Sequence, residues 1–340
     1  MYSGGVAFFM TLWLFFVAAT LLSLFLTGLF RRYALARRLM DVPNERSSHY
    51  VPTPRGGGIG IVVTFLLFLP FCGKLPFSVL VGIVGAGILV ALVGFWDDHN
   101  HIPARWRLIA HFLAAGWALA WLGGFPTVLI FDSLCDFGWL GHFLAVVCLV
   151  WLLNLYNFMD GIDGIASIEA LTVCSGGALC EIFAVNSGNG RMLLLFLSAA
   201  VLGFLFWNFP RAKIFMGDSG SGFLGIILGA FAIHAAKMNP DLLWCWIILL
   251  GVFVVDASVT LFRRILRGER FYEAHRSHAY QHASRKYGHR HVSIGVGLVN
   301  VFWLWPMAVI VANSELVGVL GVFFAYIPLI MLAYHFDAGV

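Results

Sequence analysis

Long apolar stretches separated by short polar ones dominate the pattern of this chain. Residues 1–30, 56–73, 75–96, 108–131, 137–159, 192–210, 219–236, 242–255 and 316–336 contain no Asp, Glu, Lys or Arg. Most of them approach the roughly 20 apolar residues that a helix needs to cross a hydrocarbon core. They are continuous runs and not ten-residue stretches of alternating polarity, and lipid cannot satisfy open backbone amides, so helices are predicted and barrel strands are not. The expected spans are about 6–29, 58–72, 77–96, 108–123, 139–158, 164–185, 191–207, 220–236, 242–262, 294–312 and 316–335, eleven in all. Residues 1–340 thus read as a single all-α, polytopic integral membrane domain.

Composition sharpens this picture. Of the 340 residues, 61% are hydrophobic and 11% charged, against about 25% charged in a typical soluble domain, which excludes an ordinary water-soluble fold. Basic residues then set the orientation, because short cytoplasmic loops carry an excess of Lys and Arg. Residues 30–57, 97–107, 208–219 and 263–293 hold 18 of the 21 basic residues, and the alternate loops hold Lys74, Arg191 and Lys237. These loops, with 158–164, are expected on the cytoplasmic side, leaving the N-terminus outside and the C-terminus inside. Arg31, Arg32, Arg37 and Arg38 follow the first apolar run instead of preceding it, so the run reads as an uncleaved helix and not a signal peptide. Six cysteines without CxxC spacing read as small packing residues. The net charge of +4 gathers on the inner face, where anionic lipids and substrates would be drawn; no nucleic-acid partner is expected.

Candidate chemistry crowds the same face. Asp97, Asp98, Asp160, Asp163 and Asp218 all fall at inner ends of predicted helices. Within Leu153–Ile165, Asn154, Asn157, Asp160 and Asp163 recur every third position, so that neighbouring pairs share a helix face, but the whole set drifts half a turn out of phase. Gly161 and Gly164 offer the break that would bring Asp163 round. Capping of the next helix would explain the two acids but neither asparagine. The segment Phe215-Met-Gly-Asp218-Ser-Gly-Ser-Gly222 leads a glycine-rich turn into a helix, whose open amides suit a diphosphate, with Asp218 as cap and magnesium ligand. Asp97 and Asp98 sit unfavourably at a helix C-terminus and require a cation, either a metal or Arg105 and Arg107. His275, His278 and His282 stand at i, i+3 and i+7, predicting one face of an amphipathic helix that binds phosphate, binds zinc, or lies on the membrane surface. Asp256, inside the ninth span and two turns before Arg263, reads as functional or as paired with an arginine.

In order along the chain, Asp41-Val-Pro-Asn-Glu-Arg46-Ser-Ser-His49 with Pro52-Thr-Pro-Arg55-Gly-Gly-Gly58, Asp97-Asp98, Asn154–Gly164, Asn208–Gly222 and His275-Arg-Ser-His278 resemble the polyprenyl-phosphate N-acetylhexosamine 1-phosphate transferases of the MraY, WecA and WbpL type. The resemblance implies ten or eleven spans in a bacterial inner membrane, a cytoplasmic active site and a requirement for Mg²⁺, with Mn²⁺ as the substitute. It implies metal ligation by Asp218, Asp163 and Asp98, lipid phosphate held near Asp97 and Asp98, and a nucleotide and metal site lined by Asn157, Asp160 and Asp163. Asn208 and Phe215 would lie near uracil, while Asn154, Arg46, His49, Arg55, Asp256, His275 and His278 complete the expected substrate contacts. The partners implied are a UDP-N-acetylhexosamine of the FucNAc, QuiNAc or GlcNAc type, undecaprenyl phosphate and membrane lipids, with a homodimer compatible. Arg46-Ser-Ser-His49 and Arg55-Gly-Gly-Gly58 look closest to enzymes that initiate O-antigen-type lipopolysaccharide. The alternatives are a phospho-MurNAc-pentapeptide transferase and, more remotely, a polyprenyl-phosphate phosphatase or a transporter; crowding of the acids at one interface and the lack of a repeat speak against transport.

Overall fold

A computed structural model describes residues 2–43, 48–73, 75–100, 102–131, 133–185, 190–269 and 275–340, the first eight of these as backbone only. It is an all-α bundle. The helices are α1 (Tyr2–Ala36), α2 (Ile59–Phe68, extended by a 3₁₀ turn Leu69–Phe71), α3 (Phe77–His99), α4 (Ala104–Trp121), α5 (Gly138–Met159), α6 (Ile165–Ala184) and α7 (Gly190–Asn208). They continue as α8 (Asp218–Met238), α9 (Asp241–Leu249), α10 (Gly251–Leu266), α11 (Ala279–Tyr287), α12 (His289–Val299), α13 (Trp305–Ala312) and α14 (Gly318–His335). A π-helical segment, Asn300–Leu304, joins α12 to α13.

Among the described residues, eight helical stretches are long and apolar enough to cross a membrane, and α9 with α10, bent by 68° at Leu250, would be a ninth if the pair is one span. Besides the expected span 108–123, whose helix α4 is not among these, two expectations are corrected. Segment 58–72 forms only a short helix and a 3₁₀ turn, and 242–262 is broken at Leu250–Gly251. A third difference lies in the loop 124–138, which folds a small antiparallel hairpin from β3 (Val128–Ile130) and β4 (Ser133–Cys135). A second antiparallel pair, β1 (Met40–Asp41) with β2 (Thr53–Pro54), folds the 40–54 segment back on itself.

α8 is the axle of the bundle: 89% of its apolar window is buried. Its small residues explain how. A Cβ added at Gly225 would stand 2.6 Å from the Leu153 Cα, so glycine there lets α5 approach backbone to backbone, the usual route to tight packing where lipid removes the hydrophobic drive. α3 packs along another side of α8 and α9 along a third. The N-terminus of this central helix is therefore where the ends of α3 and α5 meet.

Candidate active site

At that meeting point the chain builds a site around Asp218, the first residue of α8. Asp97, in the last turn of α3, and Asp218 share one cation: Arg107 Nη1 donates to Asp97 Oδ2 at 2.7 Å and to Asp218 Oδ2 at 3.0 Å. The Ile102 amide donates to the other Asp97 oxygen at 2.7 Å. Asn157, on the last turns of α5, donates to Asp218 Oδ1 at 2.8 Å and to the Ser221 hydroxyl at 3.1 Å. Both carboxylates are thus turned toward one positive group, and Asp218, with a third of its side chain exposed, faces the open side. The cation demanded by paired acids at a helix C-terminus is Arg107; the Arg105 guanidinium lies over Trp106 instead.

Asp98 has a different position from the one expected. It is buried, its Oδ1 accepts from the Asp218 amide at 3.2 Å, and its Oδ2 accepts from the Ser219 amide at 3.4 Å and the Ser219 hydroxyl at 3.1 Å. The α8 N-terminal amides expected to receive a diphosphate are therefore capped by Asp98, which satisfies donors that the helix itself leaves open. Two glycines make this approach feasible. Gly217 has φ +76°, and a Cβ on it would stand 2.6 Å from Asp98 Oδ2, while a Cβ on Gly58 would collide with the Gly220 Cα. The Pro54–Gly58 strand lies directly along the turn before α8, through Phe215 N to Pro54 O, Gly57 N to Phe215 O and Gly58 N to Met216 O at 2.8–2.9 Å. Arg55 from the same strand donates to the carbonyls of Asp98 at 2.6 and 3.0 Å and of Asp97 at 3.4 Å, closing the last turn of α3 at its negative dipole end.

The helix break at Gly161 and Gly164 forms as expected, since α5 ends at Met159 and α6 begins at Ile165 with Gly164 at φ +75°. Asp160 ends α5 half-buried, and burial first, then the charges of Asp218, Asp98 and Asp163, pushes its carboxyl well above the ordinary carboxylate range. That places four of the five acids in one electrostatic neighbourhood, with Asp97 joined to it through the Arg107 it shares with Asp218. A cation arriving among them would relieve their repulsion. Asp163 does not cap α6. Its Oδ1 faces His289 Nδ1 at 3.2 Å, its Oδ2 accepts from the Ala212 amide at 3.1 Å, and Ser293 donates to its carbonyl at 2.7 Å. Nor does the expected metal trio of Asp218, Asp163 and Asp98 form: among the described residues no three His, Cys, Asp or Glu side chains converge on one ion position. The two oxygens that do converge belong to Asp97 and Asp218. Two carboxylates completed by phosphate oxygens and water suit a hard divalent ion, so the residues present fit magnesium with that pair in place of the trio.

The remaining expected contacts divide. His49 packs its ring edge against Phe215, centroids 4.8 Å apart, and with Ser48, Arg276, Arg285 and His289 lines a polar cavity of about 490 Å³. Asn208 is buried and spent inside the fold, accepting from Gly164 N at 2.8 Å and donating to Ile214 O at 3.0 Å, so it positions the loops and does not face a ligand. Asn154 donates to the Val150 carbonyl at 2.7 Å on its own helix. Arg46 lies outside the described residues.

The histidine segment differs from the helix expected of it. Residues 275–278 are extended, α11 starts at Ala279, and His278 is its N-cap. Asp256 explains this. Its carboxylate accepts from the amides of Ala279 and Tyr280 at 2.9 Å and from Thr260 at 3.2 Å, and His278 Nδ1 lies 3.3 Å away. Asp256 thus anchors α11 and pairs with His278, not with Arg263, which bonds the Ala338 carbonyl. His278 stacks on His275, and its Nε2 is buried without a partner. Burial, then the neighbouring His278 and Arg264, pushes the His275 imidazole down to about 4, so it is neutral at neutral pH. Tyr280 donates to the Phe158 carbonyl at 2.9 Å, tying α11 to the frayed end of α5. Of the two arginines that the sequence offered as counter-ions, Arg107 takes that place, whereas the parts played by Ser219, Tyr280 and His289 carried no signal in the sequence.

The family described as Glycosyl transferase family 4 matches residues 80–236, a stretch that includes all five acids. A Bacillus subtilis protein named probable undecaprenyl-phosphate N-acetylglucosaminyl 1-phosphate transferase is 27% identical over 326 residues, covering 93% of this chain and 89% of its own length. A Mycobacterium leprae decaprenyl-phosphate N-acetylglucosaminephosphotransferase is 29% identical over 335 residues, covering 85% and 79%. A Thermotoga maritima undecaprenyl-phosphate alpha-N-acetylglucosaminyl 1-phosphate transferase is 27% identical over 268 residues, covering 79% and 80%. The ordered motifs, the clustered acids, the match to glycosyl transferase family 4 and relatives aligned over most of its length together support the polyprenyl-phosphate N-acetylhexosamine 1-phosphate transferase family for this chain.

Proposed function

We propose that this protein transfers N-acetylhexosamine 1-phosphate from a UDP-sugar to undecaprenyl phosphate at the cytoplasmic face of a bacterial inner membrane, releasing UMP and starting an O-antigen or related glycan. The observation that carries the reading is the single Arg107 nitrogen held between Asp97 and Asp218 at the end of the central helix. The relatives' names favour a GlcNAc-type donor. A phosphate oxygen of the lipid attacks the sugar-side phosphorus, the new phosphoanhydride bond forms, and the bond to the UMP oxygen breaks. With a second pKa near 6, a phosphate monoester is largely dianionic at neutral pH, so no general base is needed. Two anions must instead be held in line, and positioning and charge neutralisation supply the rate.

Asp97 and Asp218 would hold the magnesium ion, which when bound neutralises phosphoryl charge and orients the reacting oxygens. Arg107 keeps the two carboxylates together and offers its remaining donors to phosphate. Asp98 is fully engaged as the cap of α8, which makes it a positioning residue and removes it as a base for the lipid phosphate. The polar cavity beside His49, Phe215 and His289 suits the nucleotide sugar. The test is purified protein with Mg²⁺, undecaprenyl phosphate and a panel of UDP-N-acetylhexosamines, reading UMP. Asp218→Ala should lower turnover by on the order of 10²-fold or more while leaving the protein folded. Release of inorganic phosphate without UMP would overturn the transferase reading, and a phosphorylated aspartate trapped with UDP-sugar alone would overturn direct attack.

A further inference from the structure

α11 separates two cavities of opposite character. One face, with Ser284 and Arg285, lines the polar cavity; the other, with Ala279, Tyr280, Ala283 and Lys286, lines a larger cavity of about 590 Å³. The remaining walls of the larger cavity come from α10, α12 and α14, with Val252, Val296, Val299 and Leu329 among them. No residue of α3, α5 or α8 reaches it, so none of Asp97, Asp98, Asp160, Asp163 or Asp218 faces its interior. The lining is mostly aliphatic and aromatic; its acid, Asp256, is spent on the Ala279 and Tyr280 amides, and His291 stands on the α12 wall. At its rim Lys286 is exposed, with its ammonium 5.2 Å from the Tyr287 ring and no carboxylate partner among the described residues. On the α12 wall, a Cβ added at Gly295 would meet nothing within 4 Å. Leu298 and Leu332, beside this wall, are exposed to the bilayer side.

We propose that this cavity holds a hydrocarbon chain of an anionic phospholipid from the inner leaflet, with the headgroup phosphate against Lys286. An apolar interior with a lone cation at the mouth is complementary to an anionic lipid and indifferent to a zwitterionic one. The reacting acceptor is not assigned to this place, because none of the five clustered acids lines the cavity. The site is independent of the transfer reaction: its occupant fills the space behind α11 and so supports the helix whose other face borders the polar cavity.

The test is native mass spectrometry of the delipidated full chain, titrated separately with phosphatidylglycerol, phosphatidylcholine and undecaprenyl phosphate. Phosphatidylglycerol should bind in preference to phosphatidylcholine. Lys286→Gln should weaken it about fivefold, the effect of one basic residue at an anionic surface. Gly295→Phe, which puts a ring into open space, should abolish the adduct with its unfolding midpoint retained; should that variant not fold, a phosphatidylglycerol with a photoreactive chain must label α12 and α14 in the wild-type protein. Equal binding of both phospholipids, retention of the adduct in Gly295→Phe, labelling elsewhere, or displacement of phosphatidylglycerol by undecaprenyl phosphate would each overturn the assignment.

Discussion

Arg107 bridges Asp97 and Asp218, the pair proposed to hold a divalent ion, and this gives its removal a measurable signature apart from turnover. With the guanidinium gone, Asp97, whose side chain is only 6% exposed, and Asp218 face each other without a counter-charge. Leaving a buried charged group unpaired costs about 1–3 kcal/mol, so Arg107→Gln should lower the unfolding midpoint in chelator. Millimolar Mg²⁺ should then raise that midpoint more in the variant than in the wild type, because the ion takes over the vacated role. Equal magnesium response in the two proteins would count against the Asp97–Asp218 pair as the ligand set. At this scale the sequence was informative about which acids matter and silent about their division of labour. Asp97 and Asp98 are neighbours with equal chemistry, yet the helix turns one toward Arg107 and the other into the α8 amides, a difference of about 100° in direction that no residue type encodes. Asn208 was misread for a similar reason: a polar residue near a site faces a ligand only if the fold has not already consumed its donors and acceptors.

Helix ends explain the rest of the site's construction. Asp98 caps α8, Asp256 caps α11, and Gly217 gives α8 the turn that lets the first cap reach its amides. Gly217→Ala should therefore be more damaging than a substitution of one methyl group suggests, because the positive φ disfavours any Cβ and the added atom would crowd Asp98 at 2.6 Å. The expected result is loss of UMP release with a lowered unfolding midpoint, whereas Gly268→Ala, also at positive φ but with open space around it, should cost stability alone. Asp256→Ala removes the acceptor of two amides and the partner of His278; cap loss costs about 1 kcal/mol, and the buried amides add to it. Asp256→Asn keeps one acceptor oxygen, so the asparagine variant should recover part of the stability, which paired thermal melts can check. The broken α5 end was legible from Gly161 and Gly164. The extended 275–278 segment was not, because the i, i+3, i+7 spacing of the histidines imitates a helix face while the actual start of α11 is fixed by an acid about twenty residues upstream in another helix.

Across the whole molecule, the path of the chain fixes which helix ends lie together, and basic-residue counting then gives the expected sidedness. α3 ends at the acid cluster, so it begins at the opposite end; α2 starts beside Gly58, which touches Gly220 at the cluster, so α2 with its 3₁₀ turn leads the chain away from that end. α14 begins against Trp244 near the start of α9 and finishes with Gly339 bonded to the Ser277 carbonyl. The C-terminal residues thus lie at the acid end, while α1, whose Arg31 bonds the Lys213 carbonyl there, begins at the other. If the acid end faces the cytoplasm, as its basic loops require, the β3–β4 hairpin faces outward with the half-exposed Cys135 on it. An impermeant maleimide applied to intact cells should therefore label the wild-type protein at Cys135. In a Cys135→Ser background carrying Arg211→Cys, at an exposed position beside Asp163, the same reagent should react only after permeabilisation. Cys148 is also exposed, but it lies on α5 within the apolar belt, where a charged, impermeant reagent does not enter the hydrocarbon, so the two loop positions report sidedness without interference. Labelling of Arg211→Cys in intact cells would put the acid cluster on the outer face, where UDP-sugars made in the cytoplasm could not reach it.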